Sequence, residues 1–342
     1  MSEMLTREEL DTIASTGERV ARLKAELHKK VVGLDGPIDD LLCAVLAQGH
    51  TLLVGVPGLA KTLLIQSLAA SVSLDFRRIQ FTPDLMPSDI TGATMITQDA
   101  ATGERKFVFA PGPIFANVVL ADEINRTPPK TQAALMEALE ERQVTAGGKK
   151  YDLPRPFFVL ATQNPIEQEG TYQLPVAQLD RFMFMVNVDY PTLEQEYEVM
   201  RLTTSSYKAE LKPQFSLEEI VRLSDLTRRI RVSDQLIRYA MRLTRRSRSN
   251  SGTAPAFVRE WLTWGGGPRA TQYLLLGAKA RALLSGRSEA EPGDVRAVAH
   301  PVLRHRIMLS YHAEAESIDA DEVITELLES TPSPDGKAVS AA

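Results

Sequence analysis

The sequence predicts an α/β protein in which a parallel β-sheet covered by helices is followed by a smaller, all-helical domain. Up to about residue 190, strand-like runs alternate with helical patterns; the runs are "HTLLVG", "FRRIQF", "VVLADE", "FFVLATQNP" and "RFMFMVNVDY". This alternation is typical of parallel sheets with helices on both faces. After "DYPTLEQE" only helical patterns remain. The expected domains are residues 1–189 and 190–330, followed by a Ser-, Pro- and Ala-rich tail, 331–342, that we expect to be disordered.

Within the second domain, the spacing of apolar residues predicts a series of helices. The predicted helices span residues 193–202, 216–229, 233–245, 268–284, 292–308 and 321–328.

Composition limits the class of protein. The chain has 342 residues, 44% of them apolar and 24% charged, as expected for two globular domains. A single cysteine, Cys43, excludes an internal disulfide and is typical of a reducing compartment. We expect a cytoplasmic protein, because the sequence shows no signal-peptide pattern and no apolar stretch of the ~20 residues that a membrane span needs. The net charge of −5 argues against a protein that mainly coats nucleic acid.

The segment "GVPGLAKT", residues 55–62, has most of a phosphate-binding loop. The full pattern is Gly, four residues, Gly, Lys, and then Ser or Thr. A strand-like run precedes the segment and a helical pattern follows it, and the amides at the start of such a helix bind phosphate. A plain strand-to-helix turn is the alternative. The predicted nucleotide-binding residues are Gly55, Val56, Pro57, Gly58, Leu59, Ala60, Lys61, Thr62 and Leu63.

Ala60 stands where the pattern has its second glycine. Glycine is needed only where φ is positive or where another backbone comes very close. We expect Ala60 to lie in the first turn of the helix with an ordinary right-handed backbone. On that expectation, alanine leaves the loop functional.

Two acids end another apolar strand, "VVLADE". Hydrolysis of ATP needs Mg²⁺ near the β- and γ-phosphates, an activated water and positive charge. Lys61 would supply charge to the phosphates. Asp122 and the hydroxyl of Thr62 would bind Mg²⁺, and Glu123 would polarise the attacking water. The alternative is that the two acids only cap the helix that follows.

Three further polar residues lie at predicted ends of strands or helices. Asn164 follows "FFVLATQ", where its amide can orient a water, although Asn before Pro also simply forms turns. Arg181, in "LPVAQLDRF", either pairs with Asp180 or reaches the nucleotide of a neighbouring subunit. Arg269, in "GGGPRATQ", opens a lid helix beside a glycine run.

Two β-hairpins are predicted as inserts in the first domain. One lies near residues 93–109, around "DAATGE", and the other near residues 144–157, around Gly147 and Gly148. Each hairpin is either a decoration of the sheet or a place where a motor grips its substrate, and the sequence favours neither.

The ordered set of motifs resembles that of AAA+ ATPases, and more narrowly that of the MoxR family. The matching text is "GHTLLVGVPGLAKT", "PSDITG", "FAPGPIFANVVLADEINRTPPKTQAALMEALEERQVT", "FFVLATQNPIEQEGTYQLPVAQLDRF", "GPRA" and "PVLRHRI", over roughly residues 30–310. The resemblance implies a RecA-like αβα core with a P-loop, a helical lid, and ATP and Mg²⁺ as cofactors. It also implies that alanine before the lysine is common, so Ala60 does not mark an inactive site.

The resemblance assigns further roles to individual residues. Asn164 falls at the sensor-one position, Arg181 at the arginine finger, and Arg269 at sensor two. Val31 and Val32 fall in the stretch that lines the adenine pocket. The two hairpins match the helix-two insert and the pre-sensor-one hairpin of this clade.

Two positions depart from the family pattern. Val176 stands where members have an acid, which affects a subunit contact and removes no catalytic group. The run "WGGGPRA" is richer in glycine than usual, which leaves the placement of Arg269 open.

The resemblance implies a chaperone-like motor that remodels or matures a client protein or inserts a cofactor. It also implies a homo-oligomer, a hexameric ring, and a partner with a von Willebrand factor A domain. The alternatives are a DNA-acting motor, against which the acidic net charge argues, and a metal-chelatase motor subunit of the same clade. The sequence does not identify the client.

Overall fold

The structure is a computed structural model that describes residues 5–98, 105–166, 170–205 and 209–335. The strands are β1 (Thr51–Val54), β2 (Phe76–Gln80), β3 (Gly92–Gln98), β4 (Arg105–Pro111), β5 (Val118–Asp122), β6 (Gln143–Ala146), β7 (Lys149–Asp152), β8 (Phe158–Gln163), β9 (Phe184–Asn187), β10 (Leu262–Trp264) and β11 (Met308–Leu309). The helices are α1 (Arg7–Leu27), α2 (Asp35–Ala47), α3 (Lys61–Ser71), α4 (Pro87–Thr91), α5 (Pro129–Glu141), α6 (Val176–Leu179), α7 (Leu193–Thr203), α8 (Leu217–Arg229), α9 (Asp234–Arg246), α10 (Ala256–Trp261), α11 (Pro268–Leu284), α12 (Pro292–Ala297), α13 (Ala299–Leu303), α14 (Tyr311–Ala315) and α15 (Ala320–Ser330).

The centre of the first domain is a five-stranded sheet in the order β2-β5-β8-β1-β9, and all of its strand pairs are parallel. Each strand comes from one of the apolar runs that predict it, so the α/β prediction is confirmed. Alternate residues of the strands face opposite sides of the sheet. Leu53, Leu120 and Leu160 belong to one buried cluster, whereas Leu52 and Val119 belong to the other.

The order of the strands determines where the polar residues meet. β1 pairs with β8, and β8 pairs with β5. Because the strands are parallel, their carboxyl ends lie side by side at one edge of the sheet. Ligands of open α/β sheets bind at this edge.

Two antiparallel hairpins, β3–β4 and β6–β7, are separate from the central sheet. The rings of Phe109 on β4 and Tyr151 on β7 stack with their centroids 4.0 Å apart, so the hairpins contact each other. Residues 99–104 of the first predicted insert lie outside the described residues.

Among the described residues, the second domain is helical apart from a short antiparallel ladder between β10 and β11 and an isolated bridge between Arg231 and Glu289; the sequence pattern does not predict the ladder. The predicted helix over residues 292–308 is wrong: α12 ends at Ala297, α13 follows, and β11 begins at Met308. Pro301 has no amide hydrogen and cannot donate to the carbonyl of Ala297 in a continuous helix. Helices α10 and α14 are also not predicted by the sequence pattern.

The predicted disordered tail, residues 331–342, is wrong for its first residues. Thr331 is buried and donates to the carbonyl of Leu327, and Asp335 pairs with Arg296 at 3.2 Å. Residues 336–342 lie outside the described residues. None of the described helices has the length and apolar character of a membrane span.

Candidate nucleotide site

The loop between β1 and α3 departs from its predicted backbone. Ala60 has φ 55° and ψ 20°, a left-handed conformation, at the N-cap of α3. The expectation of a right-handed backbone at Ala60 is therefore wrong, because the loop makes its last turn into the helix at this residue. Gly58 also has a positive φ, of 87°. Gly55 is needed for another reason, since a Cβ there would lie 2.5 Å from the carbonyl oxygen of Val188.

Lys61 opens α3 and folds back over the loop. Its ammonium donates to the carbonyl of Gly55 and, at 2.8 Å, to that of Val56. Burial lowers the pKa of Lys61, while the carboxylates of Asp122 and Glu123 act in the opposite direction. The cation therefore lies within the field of both acids, which come from a strand far away in the sequence.

A cleft of about 400 Å³ runs along the loop and the ends of β5 and β8. Its lining residues are Pro57, Gly58, Leu59, Ala60, Lys61, Thr62, Leu63, Asp122, Glu123, Thr162, Gln163 and Asn164. The structure thus brings most of the predicted loop residues together with both predicted acids and Asn164. Thr162 and Gln163 also line the cleft and are not predicted from the sequence, although they directly precede Asn164.

Asp122 is buried, and both of its carboxylate oxygens accept hydrogen bonds. Oδ1 accepts from the hydroxyl of Thr162 at 2.6 Å. Oδ2 accepts from Nε and Nη2 of Arg78 on β2, at 2.9 and 2.7 Å. The sequence pattern does not predict this role of Arg78, because the contact requires β2 to lie beside β5.

Glu123 follows Asp122 with a left-handed backbone, φ 57°. Its Oε2 accepts from Nε2 of Gln80 and from Nη1 of Arg126, both at 2.9 Å. Gln80 in turn accepts a hydrogen bond from Arg78. Arg78 and Gln80, two residues apart on β2, therefore connect the two acids in one network.

Asn164 is buried at the end of β8. Its Oδ1 accepts from the amide of Ile166 at 3.3 Å. Its Nδ2 has no hydrogen-bond partner among the described residues. An unpaired buried donor beside a cleft is uncommon. Asn164 can therefore donate a hydrogen bond to a water or phosphate in the cleft.

A second cavity, of about 280 Å³, adjoins the first across residues Pro57 to Ala60. Val32, Tyr190 and Met200 line it. The resemblance assigns Val31 and Val32 to an adenine pocket, and of these two residues Val32 lines this cavity. Val31 is only 1% exposed and packs in the core.

Arg181 and Arg269 are not among the lining residues of the cleft. Nη2 of Arg181 lies 2.8 Å from Oε2 of Glu140, and Nη2 of Arg269 lies 3.7 Å from Oε1 of the same residue. Asp180 pairs with Arg269 at 3.1 Å and with Arg306 at 2.8 Å. Among the described residues, the acid that pairs with Arg181 is thus Glu140, and the Asp180 alternative is not observed.

Comparison with known proteins agrees with this geometry. Residues 50–184 match the ATPase family associated with various cellular activities (AAA), and residues 256–327 match the AAA lid domain. The chain is 40% identical to Chaperone MoxR1 of Mycobacterium tuberculosis over 328 residues, which span 96% of this chain and 85% of that protein. It is 32% identical to Protein MoxR of Paracoccus denitrificans over 84% of this chain and 88% of that protein.

Comparison with solved structures also finds an ATPase. A crystal structure from Cytophaga hutchinsonii that carries an ATPase designation superimposes with a TM-score of 0.84 and 39% identity, over 93% of this chain and 96% of that one. The fold and the cleft, together with these matches, define a nucleotide-binding AAA+ ATPase. Within that class the chain belongs to the MoxR family.

Proposed function

We propose that this ATPase hydrolyses Mg²⁺-bound ATP in the cleft at the ends of β1, β5 and β8, and uses the energy to remodel or mature a client protein. The observation that carries the proposal is that Lys61, Asp122 and Glu123 line the same cleft. Lys61 is partly buried there, and the two carboxylates favour its charged form. Nucleotide phosphates bind where backbone amides, a helix N-terminus and a lysine meet.

Thr62 and Asp122 are the residues that would hold Mg²⁺. A hydroxyl and a carboxylate supply the hard oxygen ligands that Mg²⁺ prefers. A bound Mg²⁺ neutralises charge that develops on the phosphates. Since Oδ2 of Asp122 already accepts from Arg78, the metal would compete with this guanidinium for the same oxygen.

Glu123 is the proposed general base and Asn164 the residue that orients the attacking water. A positioned base contributes about 10²–10⁴ in rate. Gln80 and Arg126 both bond to Oε2 of Glu123, so the carboxylate has a defined orientation. The unpaired Nδ2 of Asn164 supports its contact with water or with the γ-phosphate.

Arg181 and Arg269 are proposed to complete the nucleotide site of a neighbouring subunit. Both contact Glu140 and neither lines its own cleft. Because both guanidinium groups lie beside Glu140 and outside their own cleft, we propose that both arginines act on the nucleotide of a neighbouring subunit. The proposed assembly is therefore a homo-oligomeric ring, a hexamer by resemblance to the family.

The β3–β4 and β6–β7 hairpins are the proposed client-binding element. Met95 and Val108 form one cross-strand pair, Ile96 and Phe107 the next, and all four side chains are exposed, Phe107 at 76%. Because successive residues of a strand face opposite sides, both faces of the ribbon expose apolar surface. The relative MoxR1 is named a chaperone. By resemblance, we further propose a cytoplasmic location and a partner with a von Willebrand factor A domain.

Substitution of Lys61 by Ala tests the nucleotide site. The loop loses the charge aimed at the phosphates, so calorimetry should detect no ATP binding, whereas Lys149→Ala, an exposed lysine on β7, should bind ATP normally. Glu123→Gln should bind ATP and hydrolyse it at least ~10²-fold more slowly. Normal ATP binding by Lys61→Ala, or near-normal turnover by Glu123→Gln, would contradict the assignment.

A further inference from the structure

The lid contains a third cavity, whose lining is mainly positively charged. It has a volume of about 820 Å³ and lies between the end of α8, the start of α9 and the middle of α11. We call it the lid pocket. Its charged lining residues are Arg228, Arg229, Arg231, Lys279 and Glu289. On a chain with a net charge of −5, this local excess of positive charge is not explained by overall composition.

Two of these cations have no acidic partner in the described part of the chain. Within the described residues, no carboxylate pairs with Arg228, and the ammonium of Lys279 donates only to the carbonyl of Arg228, at 2.7 Å. Arg231 and Glu289 are 3.4 Å apart and more than half exposed, so their pair is weak. Arg229 is engaged by Glu9 on α1. Arg228 and Lys279 are thus available to an anion.

The pKa values of neighbouring cations indicate that positive charges repel one another in and near the lid pocket. Burial is the main cause that lowers the pKa of Lys279, and the cation of Arg228 lowers it further. The pKa of Arg142, on the first domain, is lowered by burial, then by Arg228 and Arg155. An anion between Arg228 and Lys279 would relieve this repulsion.

We propose that the lid pocket binds a small phosphate-bearing molecule. Guanidinium groups match phosphate oxygens in a bidentate geometry. Clefts of roughly 300–1,000 Å³ are typical of small-molecule sites. Val232, Ile237 and Leu275 form an apolar wall that would contact the organic part of such a ligand.

Pyrophosphate binding, measured by calorimetry at low ionic strength, tests the proposal. All variants carry Lys61→Ala, which removes the lysine of the nucleotide cleft. Adding Arg228→Gln and Lys279→Gln should weaken binding at least about tenfold, because each removes a charge-assisted hydrogen bond. The matched control adds Arg245→Gln and Arg259→Gln, two exposed lid arginines outside the pocket, and should change the affinity less than about twofold.

Arg228→Gln alone provides a second variant, since this side chain is exposed and supports no observed contact; it should weaken binding at least about threefold. The proposal is overturned if the Lys61→Ala protein does not bind pyrophosphate, or if the pocket variants bind as tightly as the control. Displacement of pyrophosphate by poly-glutamate or by an oligonucleotide at equal charge concentration would also overturn it, because the pocket would then bind polyanions in general.

Discussion

Ala60 has a backbone conformation that an L-residue adopts at a cost. Left-handed geometry is about 1–2 kcal/mol less favourable for a residue with a Cβ. Ala60→Gly should therefore raise the free energy of unfolding by up to about 1 kcal/mol, after the greater chain entropy of unfolded glycine is included. Urea denaturation measures the change. Ala21→Gly, in the exposed middle of α1, should instead lower stability by about 1 kcal/mol. Destabilisation by both substitutions would contradict the left-handed conformation at Ala60.

A titrating residue makes the stability depend on pH. Burial raises the pKa of Asp40 from 3.8 to about 7, an effect that Arg304 and Arg281 partly offset. The folded protein therefore binds this proton more tightly than the unfolded chain does. The contribution of Asp40 to stability is full below pH 4 and is lost as the pH rises towards 7.

Asp40→Asn removes this dependence. The variant should be more stable than the parent protein at pH 8, by up to about 4 kcal/mol for roughly three pKa units, and nearly equal to it at pH 4. Urea denaturation at the two pH values measures the difference. A gain of the same size at both would show that Asp40 does not titrate in this range.

At the scale of elements, one buried arginine connects the lid to the sheet. The guanidinium of Arg306, 1% exposed, contacts the carboxylate of Asp180 at 2.8 Å and also donates to the carbonyls of Asp180, Phe182 and Met183. The segment between α13 and β11 is thereby attached to the chain that leads into β9.

Arg306→Met should lower the free energy of unfolding by about 3–5 kcal/mol, because it leaves buried acceptors without a donor. Arg306→Lys should not restore the loss, since an ammonium cannot reproduce the planar set of donors. Thermal and urea denaturation measure the cost, with Arg259→Met as an exposed control. A change below 1 kcal/mol would mean that this contact is not required for attachment of the lid.

Local patterns account for much of the fold and part of the site. The five apolar runs become the five sheet strands, and α11 spans the predicted residues 268–284 because its helical pattern is uninterrupted. The helix predicted over 292–308 fails because periodicity does not reveal the lost hydrogen bond at Pro301. Arg78 and Gln80 could not be predicted as partners of the acids, since their contacts depend on which strands are neighbours.

At the scale of the whole molecule, the proposed hydrolysis requires more than one subunit. Arg181 and Arg269 lie together on Glu140, apart from the cleft formed by their own chain. An Arg181→Ala subunit should still bind ATP through its own Lys61 but hydrolyse it poorly. A Lys61→Ala subunit has the opposite defect, a disabled cleft with an intact arginine.

Glu140→Gln separates the proposed role of Arg181 from a purely structural one. If the ion pair alone matters, this variant should lose as much activity as Arg181→Ala. If the arginine acts on a neighbour, Glu140→Gln should retain most of the activity, because both guanidinium groups remain. Steady-state ATPase assays of the two variants, with their melting temperatures as a control for folding, distinguish the outcomes.

The most direct test of the central claim is the steady-state ATPase activity of mixtures of Arg181→Ala and Lys61→Ala protein as a function of their ratio. Mixed rings place the arginine of a Lys61→Ala subunit beside the intact cleft of an Arg181→Ala neighbour. Because such an arginine contributes about 10³-fold or more in rate, activity should rise well above that of either variant and peak at intermediate ratios. Activity that stays at the level of the two separate variants, with mixed assembly verified independently, would contradict completion of the site by a neighbouring subunit.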